Sequence, residues 1–122
     1  MKKEKNIMLE PFEVDSESKI IVKYLENESH VNIPDGIERI ADGVFKNKKL
    51  SSISVPHSLR EIGNYAFFGC KNLTSIELLN GLEKIGDYAF KDCKKLSNVE
   101  IPTSVIRIGK NAFNCTCLTR KG

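Results

Sequence analysis

Residues 73–93 read LTSIELLNGLEKIGDYAFKDC, and the same outline precedes and follows them. Working outward from Phe90, the matching phenylalanines are Phe45, Phe67, Phe90 and Phe113, at intervals of 22, 23 and 23 residues. Ile40, Ile62, Ile85 and Ile108 keep those intervals. So do Ile37, Leu59, Leu82 and Val105, and also Ile33, Val55, Leu78 and Ile101. Leu50, Leu73 and Leu96 step by 23 and 23, as do Ile53, Ile76 and Val99. The shorter first interval arises in FKNKKL, one residue shorter than FFGCKNL and FKDCKKL. A fixed period in the low twenties marks stacked coils, none of which closes a core alone.

Each repeat has three parts. The first is a short strand, predicted at 30–33, 52–55, 75–78 and 98–101, where apolar and polar residues alternate. Stacking the repeats makes these strands parallel. Pro34, Pro56 and Pro102 follow three of them, and Leu79 takes that place in the third; proline fixes the backbone and ends the strand. Small residues then turn the chain: Gly36, Ser58, Gly81 and Ser104. The second part is IERIA, LREIG, LEKIG and VIRIG, a short extended piece with two apolar residues turned inward. The third is DGVF, NYAF, DYAF and NAF, read as one turn of helix seated by its Ala and Phe. Gly63, Gly86 and Gly109 are predicted to give the backbone freedom for a corner, with Ala41 in their place in the first coil.

The consensus LxxIxIPxxVxxIGxxAFxxC resembles the BspA-like, or type-5, leucine-rich repeat family. Matching residues include Ile53, Val55, Pro56, Ile62, Gly63, Ala66, Phe67 and Cys70, then Leu73, Ile76, Ile85, Gly86, Ala89, Phe90 and Cys93. Ile101, Pro102, Ile108, Gly109, Ala112, Phe113 and Cys115 complete the set, and the resemblance covers roughly residues 19 to 118. It implies an α/β-type repeat solenoid dominated by short β-strands: a right-handed coil of about four 22–23-residue repeats behind an N-terminal β-hairpin cap. The expected organisation is a flexible tail over 1–11, the hairpin over 12–30, the solenoid over 31–118 and a tail over 119–122. In the hairpin, Ile20, Val22 and Tyr24 are predicted to share the inner face and cover the apolar end of the first coil.

The 122 residues suffice for one domain, and 40% apolar with 29% charged residues suits a folded chain. No apolar run approaches the roughly 20 residues of a membrane-spanning helix. MKKEKNIMLEPFE has a basic start without an apolar stretch behind it. That places the chain in the cytoplasm as it stands, or at the cell surface or outside if a leader is missing. The net charge of +3, from 19 basic and 16 acidic residues, gives no electrostatic case for nucleic acid. Of the four cysteines, Cys70 and Cys93 share a repeat position, with Cys115 as a third rung and Cys117 outside it. Without tight CxxC pairs, zinc is disfavoured; a ladder of small buried thiols is preferred, with an oxidised pair as the alternative. No cofactor or metal is expected.

Outward positions remain for function. On the main sheet these are His30, Asn32, Ser52, Ser54, Ser75, Glu77, Asn98 and Glu100. They form a flat polar surface without an aromatic stripe, suited to a protein partner or simply to solvent. Glu77 and Glu100 are expected on adjacent strands, about 4.8 Å apart. The second extended piece carries Glu38–Arg39, Arg60–Glu61 and Glu83–Lys84, whose sign order flips from coil to coil. Opposite charges on neighbouring strands favour one register. Ile106 breaks the pattern and is expected to be exposed. A third feature is the basic edge of Lys46, Lys48, Lys49, Lys71, Lys91, Lys94 and Lys95, offset only by Asp92.

With two histidines, His30 and His57, and no reactive group breaking the repeat, no catalytic residues are assigned. The leading expectation is a non-catalytic module that binds an unidentified protein. The resemblance implies adhesion or host interaction as one setting. One alternative is self-association through an open C-terminal end, since only TRKG follows Leu118. Another is an anionic glycan bound along the lysine edge.

Overall fold

The computed structural model describes residues 6–114 and, in backbone, residues 118–120. Three N-terminal strands, β1 (Asn6–Leu9), β2 (Phe12–Asp15) and β3 (Ile20–Tyr24), form an antiparallel meander. Coil 1 then carries β4 (His30–Asn32) and β5 (Arg39–Ile40), and coil 2 carries β6 (Ser52–Ser54) and β7 (Glu61–Ile62). Coil 3 carries β8 (Ser75–Ile76) and β9 (Lys84–Ile85), and coil 4 carries β10 (Val99–Ile101) and β11 (Arg107–Ile108). β12 (Leu118–Arg120) ends the described chain. β1 falls on the segment expected to be a flexible tail, and β12 straddles the expected end of the solenoid at residue 118. In β1, Ile7 and Leu9 pair with Val14 and Phe12, so they prolong the apolar face of the meander. Cys115 and Cys117 lie outside the described residues.

Helix is absent from the described residues, which corrects the α/β reading: the chain is a β-solenoid of about four repeats. The reason lies in where the N–H groups of the expected helical turns point. Gly43, Phe45 and Asn47 donate to the carbonyls of Asn64, Ala66 and Phe68 in the next coil, at 2.8–2.9 Å. Tyr65, Phe67 and Gly69 repeat this toward Asp87, Ala89 and Lys91. Tyr88 and Phe90 do so toward Lys110 and Ala112. An α-helix needs successive i→i−4 bonds within the segment. Here alternate donors leave the coil, and residues between them close short turns such as Phe68 N–H to Tyr65 O at 3.1 Å. Asn47, Tyr65, Tyr88 and Asn111 also sit at φ of 52–61°, left-handed values that a right-handed helix excludes.

Two walls enclose the core. One is a seven-stranded sheet in the order β1-β2-β3-β5-β7-β9-β11. The other is formed by β4, β6 and β8 in one parallel ladder and β10 with β12 in a second. Between them Phe45, Phe67, Phe90 and Phe113 stack face to face, with centroids 4.9–5.1 Å apart and planes within 9°. That spacing is close to the separation of neighbouring strands, so the ring column and the backbone ladders share one repeat. Phe45, Phe67 and Phe90 are fully buried, each burial worth about 2–3 kcal/mol.

The column is closed at its N-terminal end by Phe12 and Tyr24, whose ring centres lie 6.3 and 5.0 Å from Phe45. The inner face of β3 differs from the expected one: Ile21 and Tyr24 are buried, whereas Ile20 and Val22 are half-buried. A register shift between Glu13 and Val14 pairs Val14 with Ile21 and Phe12 with Tyr24, so the alternation slips by one residue.

The corner glycines also have a different cause from the expected one. Gly63, Gly86 and Gly109 have no left-handed φ. Each instead packs against the preceding coil, where a Cβ would fall 2.4–2.5 Å from Asp42, Asn64 or Asp87 atoms. Those three side chains form a ladder. Asp42 Oδ1 accepts the Asn64 N–H, Asn64 Oδ1 the Asp87 N–H, and Asp87 Oδ1 the Lys110 N–H, at 2.8–2.9 Å. Gly36 and Gly81 do require glycine, at φ 93° and 111°. Their N–H groups donate to Ser58 and Ser104 of the following coil at 3.0 Å, and those hydroxyls donate onward to the carbonyls of Ile37 and Leu82.

Candidate functional site

The outward residues of β4, β6 and β8 form the first candidate surface, and its two ends differ. In coils 1 and 2 the polar side chains are paired across the ladder. His30 Nδ1 lies against Ser52 Oγ, and Ser54 Oγ donates to Asn32 Oδ1 at 2.7 Å. In coil 3, Ser75 and Glu77 are exposed, and neither side chain has a hydrogen bond or ion pair among the described residues.

The ladder itself stops after β8. Ser51 N–H donates to Ser29 O at 2.7 Å and Thr74 N–H to Ser51 O at 3.0 Å. No equivalent bond joins coil 3 to coil 4 on this face among the described residues, and β10 pairs with β12 instead. Asn98, the expected partner of Ser75, adopts φ 56° and is not extended. Glu77 and Glu100 therefore do not stand on adjacent hydrogen-bonded strands, which corrects that expectation. A cavity of about 610 Å³ occupies the opening, lined by Ser75, Glu77, Leu79, Asn98, Glu100 and Pro102 among others. A second, of about 330 Å³, runs along Asn32, Ser52 and Ser54 and shares Ser75, Glu77 and Leu79 with the first. All eight sheet-face residues singled out from the sequence, His30 included, thus line these two adjoining cavities. His57, Leu79 and Pro102 also line it and were not singled out. Leu79 in a proline's place was the one visible sign.

The lysine edge is less uniform. Lys46 lies 5.6 Å from the centres of both Tyr65 and Phe68, Lys48 5.6 Å from Tyr24 and Lys91 5.7 Å from Tyr88. Tyr65 and Tyr88 stack at 5.0 Å, an aromatic pair that the backbone turn brings together on this side. Lys48, Lys49 and Lys71 border a depression of about 320 Å³. Lys71, Lys94 and Lys95 are exposed.

On the opposite wall, Glu61 pairs with Arg39 on one side and Lys84 on the other in the strand register. Arg39 Nε lies 3.6 Å from Glu61, and Arg60 Nη1 is 3.1 Å from Glu83. No ion pair joins Glu38 to Arg60 or Glu61 to Lys84 among the described residues. Ile106 is 77% exposed. Ile108, in a column buried in every earlier coil, is 38% exposed.

Cys70 and Cys93 are free, buried thiols. Each donates to the carbonyl of a phenylalanine in the preceding coil, Phe45 at 3.0 Å and Phe67 at 3.1 Å. A hydrogen bond with Cys93, together with burial, holds the Cys70 thiol far above the ordinary thiol range. Burial likewise raises Tyr24, whose hydroxyl accepts the Glu28 N–H. Among the described residues no three His, Cys, Asp or Glu side chains gather where they could hold a metal ion, and no helix is long and apolar enough to cross a membrane.

A coil stack whose polar residues serve its own ladders, with one groove on its outer face, defines a non-catalytic leucine-rich-repeat module. The chain belongs to the BspA-type leucine-rich repeat family, whose model matches residues 19–121 as six copies. A leucine-rich repeat protein from Bacteroides capillosus superposes with TM-score 0.85 at 23% identity, over 98% of this chain and 100% of that one. The T. pallidum leucine-rich repeat protein is 30% identical, with TM-score 0.71, over 91% of this chain and 68% of that one. A leucine-rich cell surface protein from Faecalibacterium prausnitzii gives TM-score 0.69 at 21% identity, over 98% of this chain but 44% of its own length. No curated protein matches the chain.

Proposed function

We propose that the chain binds another protein through the outward groove of its main sheet, as the recognition module of a bacterial cell-surface protein. The observation that carries this is the groove's continuity: two cavities meeting at Ser75, Glu77 and Leu79, along a face whose side chains are polar and mostly exposed. Concave sites with a few placed polar groups are where binding energy concentrates. The cell-surface description of the F. prausnitzii relative supports the setting, and adhesion is the activity that setting favours. The test is site-specific photo-crosslinking on intact host cells, with the reactive residue at Ser54, at Glu77, or at Arg60 on the opposite wall. Capture of one protein from the first two positions and not from Arg60 is expected. Equal capture from all three would overturn the reading.

A second reading is self-association. Ile7, Met8 and Leu9 on β1 and Ile106 and Ile108 on β11 are exposed apolar residues, and these strands are the two outer strands of one sheet. Sedimentation over a concentration series tests it, and a single monomeric species throughout would exclude it. The anionic-glycan reading has weaker support, because Lys46, Lys48 and Lys91 already lie over aromatic rings. Loss of salt-sensitive heparin retention on neutralising Lys71, Lys94 and Lys95 would support it; retention without those charges would end it.

A further inference from the structure

We propose that the depression between coils 1 and 2, on the lysine edge of the stack, is an anion site. It would take one compact dianion, a phosphate or sulfate group, as the free ion or as the monoester of a small molecule. Its lining shares no residue with the two cavities of the sheet groove, so the proposal does not rest on the protein-binding reading.

The lining is the first observation. Asn47, Lys48, Lys49, Gly69, Lys71 and Asn72 surround about 320 Å³. That is the small end of the roughly 300–1,000 Å³ typical of small-molecule sites. Every lining residue but Gly69 carries side-chain N–H donors, and no carboxylate is among them. Among the described residues, Lys48, Lys49 and Lys71 form no ion pair, and neither the Asn47 nor the Asn72 side chain has a hydrogen bond.

The backbone makes the space. Two residues past each phenylalanine of the column the chain turns through left-handed φ: 61° at Asn47, 72° at Gly69 and 63° at Asp92. These positions stack in successive coils, with Asn47 N–H donating to Phe68 O and Gly69 N–H to Lys91 O. Gly69 is the one without a side chain. A Cβ there would collide with Asn47 Oδ1, so both its φ and its bare Cα keep the depression open. On the other side the lysine turn is pinned to the chain that follows β3. Lys48 Nζ sits 5.6 Å from the centre of the Tyr24 ring, and Lys49 N–H donates to Asn27 Oδ1 at 2.8 Å.

Flanking charges set the size of the occupant. Asp92 holds the ladder position beyond Gly69. Glu28, whose N–H donates to the Tyr24 hydroxyl, follows Asn27 on the opposite side. Neither acid lines the depression. A polyanion laid along the whole edge meets these carboxylates, whereas a single dianion meets only donors. Ammonium groups around a doubly charged oxyanion form charge-assisted hydrogen bonds, the stronger kind.

The test is an amide NMR titration of the full chain at fixed ionic strength and about pH 8, where phosphate is doubly charged. The probes are inorganic phosphate, glucose 6-phosphate and glucose 6-sulfate, with acetate as the monoanionic comparison. The three probes are expected to give saturable shifts within 47–49 and 69–72, and acetate should bind at least about tenfold more weakly than phosphate. The double variant K49Q/K71Q should weaken phosphate binding about tenfold with an unchanged thermal midpoint, because both side chains are exposed. K94Q/K95Q, further along the edge, should leave phosphate binding unchanged. Tighter binding of the esters than of phosphate would support the site and name an esterified small molecule as its occupant; equal affinities would support it and name the free ion. Equal losses from the two double variants would show a diffuse basic edge and overturn the site. Acetate binding as tight as that of phosphate would overturn it too, as would the absence of saturable shifts.

Discussion

Coils 1 and 2 and coils 3 and 4 are built from the same repeat, yet only the first pair is closed on every side. The interior barely distinguishes them. Phe45–Phe67 and Phe90–Phe113 stack at 5.1 and 4.9 Å, and the Gly36–Ser58 bridge recurs as Gly81–Ser104. The outer face separates them sharply. His30–Ser52 and Asn32–Ser54 zip the first pair, whereas Ser75 and Asn98 are not paired in the second. The lesson is that a repeat's core residues fix how coils stack, while the outer ladder ends where Asn98 leaves the extended conformation.

The largest test of this contrast is in the aromatic column. Phe67→Ala removes a fully buried ring with a stacking partner on each side, and should cost about 3–5 kcal/mol in chemical denaturation. Phe113→Ala, at the 8%-exposed end of the column, should cost about half as much by the same principle. Equal losses would mean that the column is not the shared interior of both halves. Next in size are the corner glycines. Gly63→Ala and Gly86→Ala push a Cβ into the preceding coil, and each should cost about 1–3 kcal/mol, read as a lowered denaturation midpoint. Ser58→Ala and Ser104→Ala remove equivalent bridges and should each cost about 1 kcal/mol. A clear difference between those two would show that the halves differ at the corner as well as on the face. The smallest effect is expected from Arg60→Ala, under about 1 kcal/mol and fading in high salt, since its pair with Glu83 is exposed.

The stack was legible because its residues recur in register: the phenylalanine column, the Ile40–Ile62–Ile85 column and the paired Cys70 and Cys93 are visible as spacing alone. Strand starts at His30, Ser52 and Ser75 were equally visible. The helical turn was misread because Ala and Phe fit a helix as well as a turn, and nothing local shows that Phe45 and Phe67 donate their N–H groups to the next coil. Gly63 was read as a conformational need when it is a packing one, a distinction held in the preceding coil's Asp42. The bulge at Glu13 and Val14 hid which of Ile20 and Ile21 turns inward. In the candidate site, the groove residues were legible as outward strand positions. The seam between β8 and β10, where the outer ladder stops, was not, because Asn98 occupies a strand-like position in the pattern and only its φ sets it apart.

Residue-resolved amide hydrogen exchange tests the central claim, an outer ladder closed through coil 3 and open beyond it, most directly. Ser51 and Thr74, bonded across the ladder, should exchange more slowly than Ser97, their counterpart at the seam, by about a hundredfold or more. Protection of Ser97 equal to that of Ser51 and Thr74 would mean that coils 3 and 4 are zipped like the others, and would contradict the account.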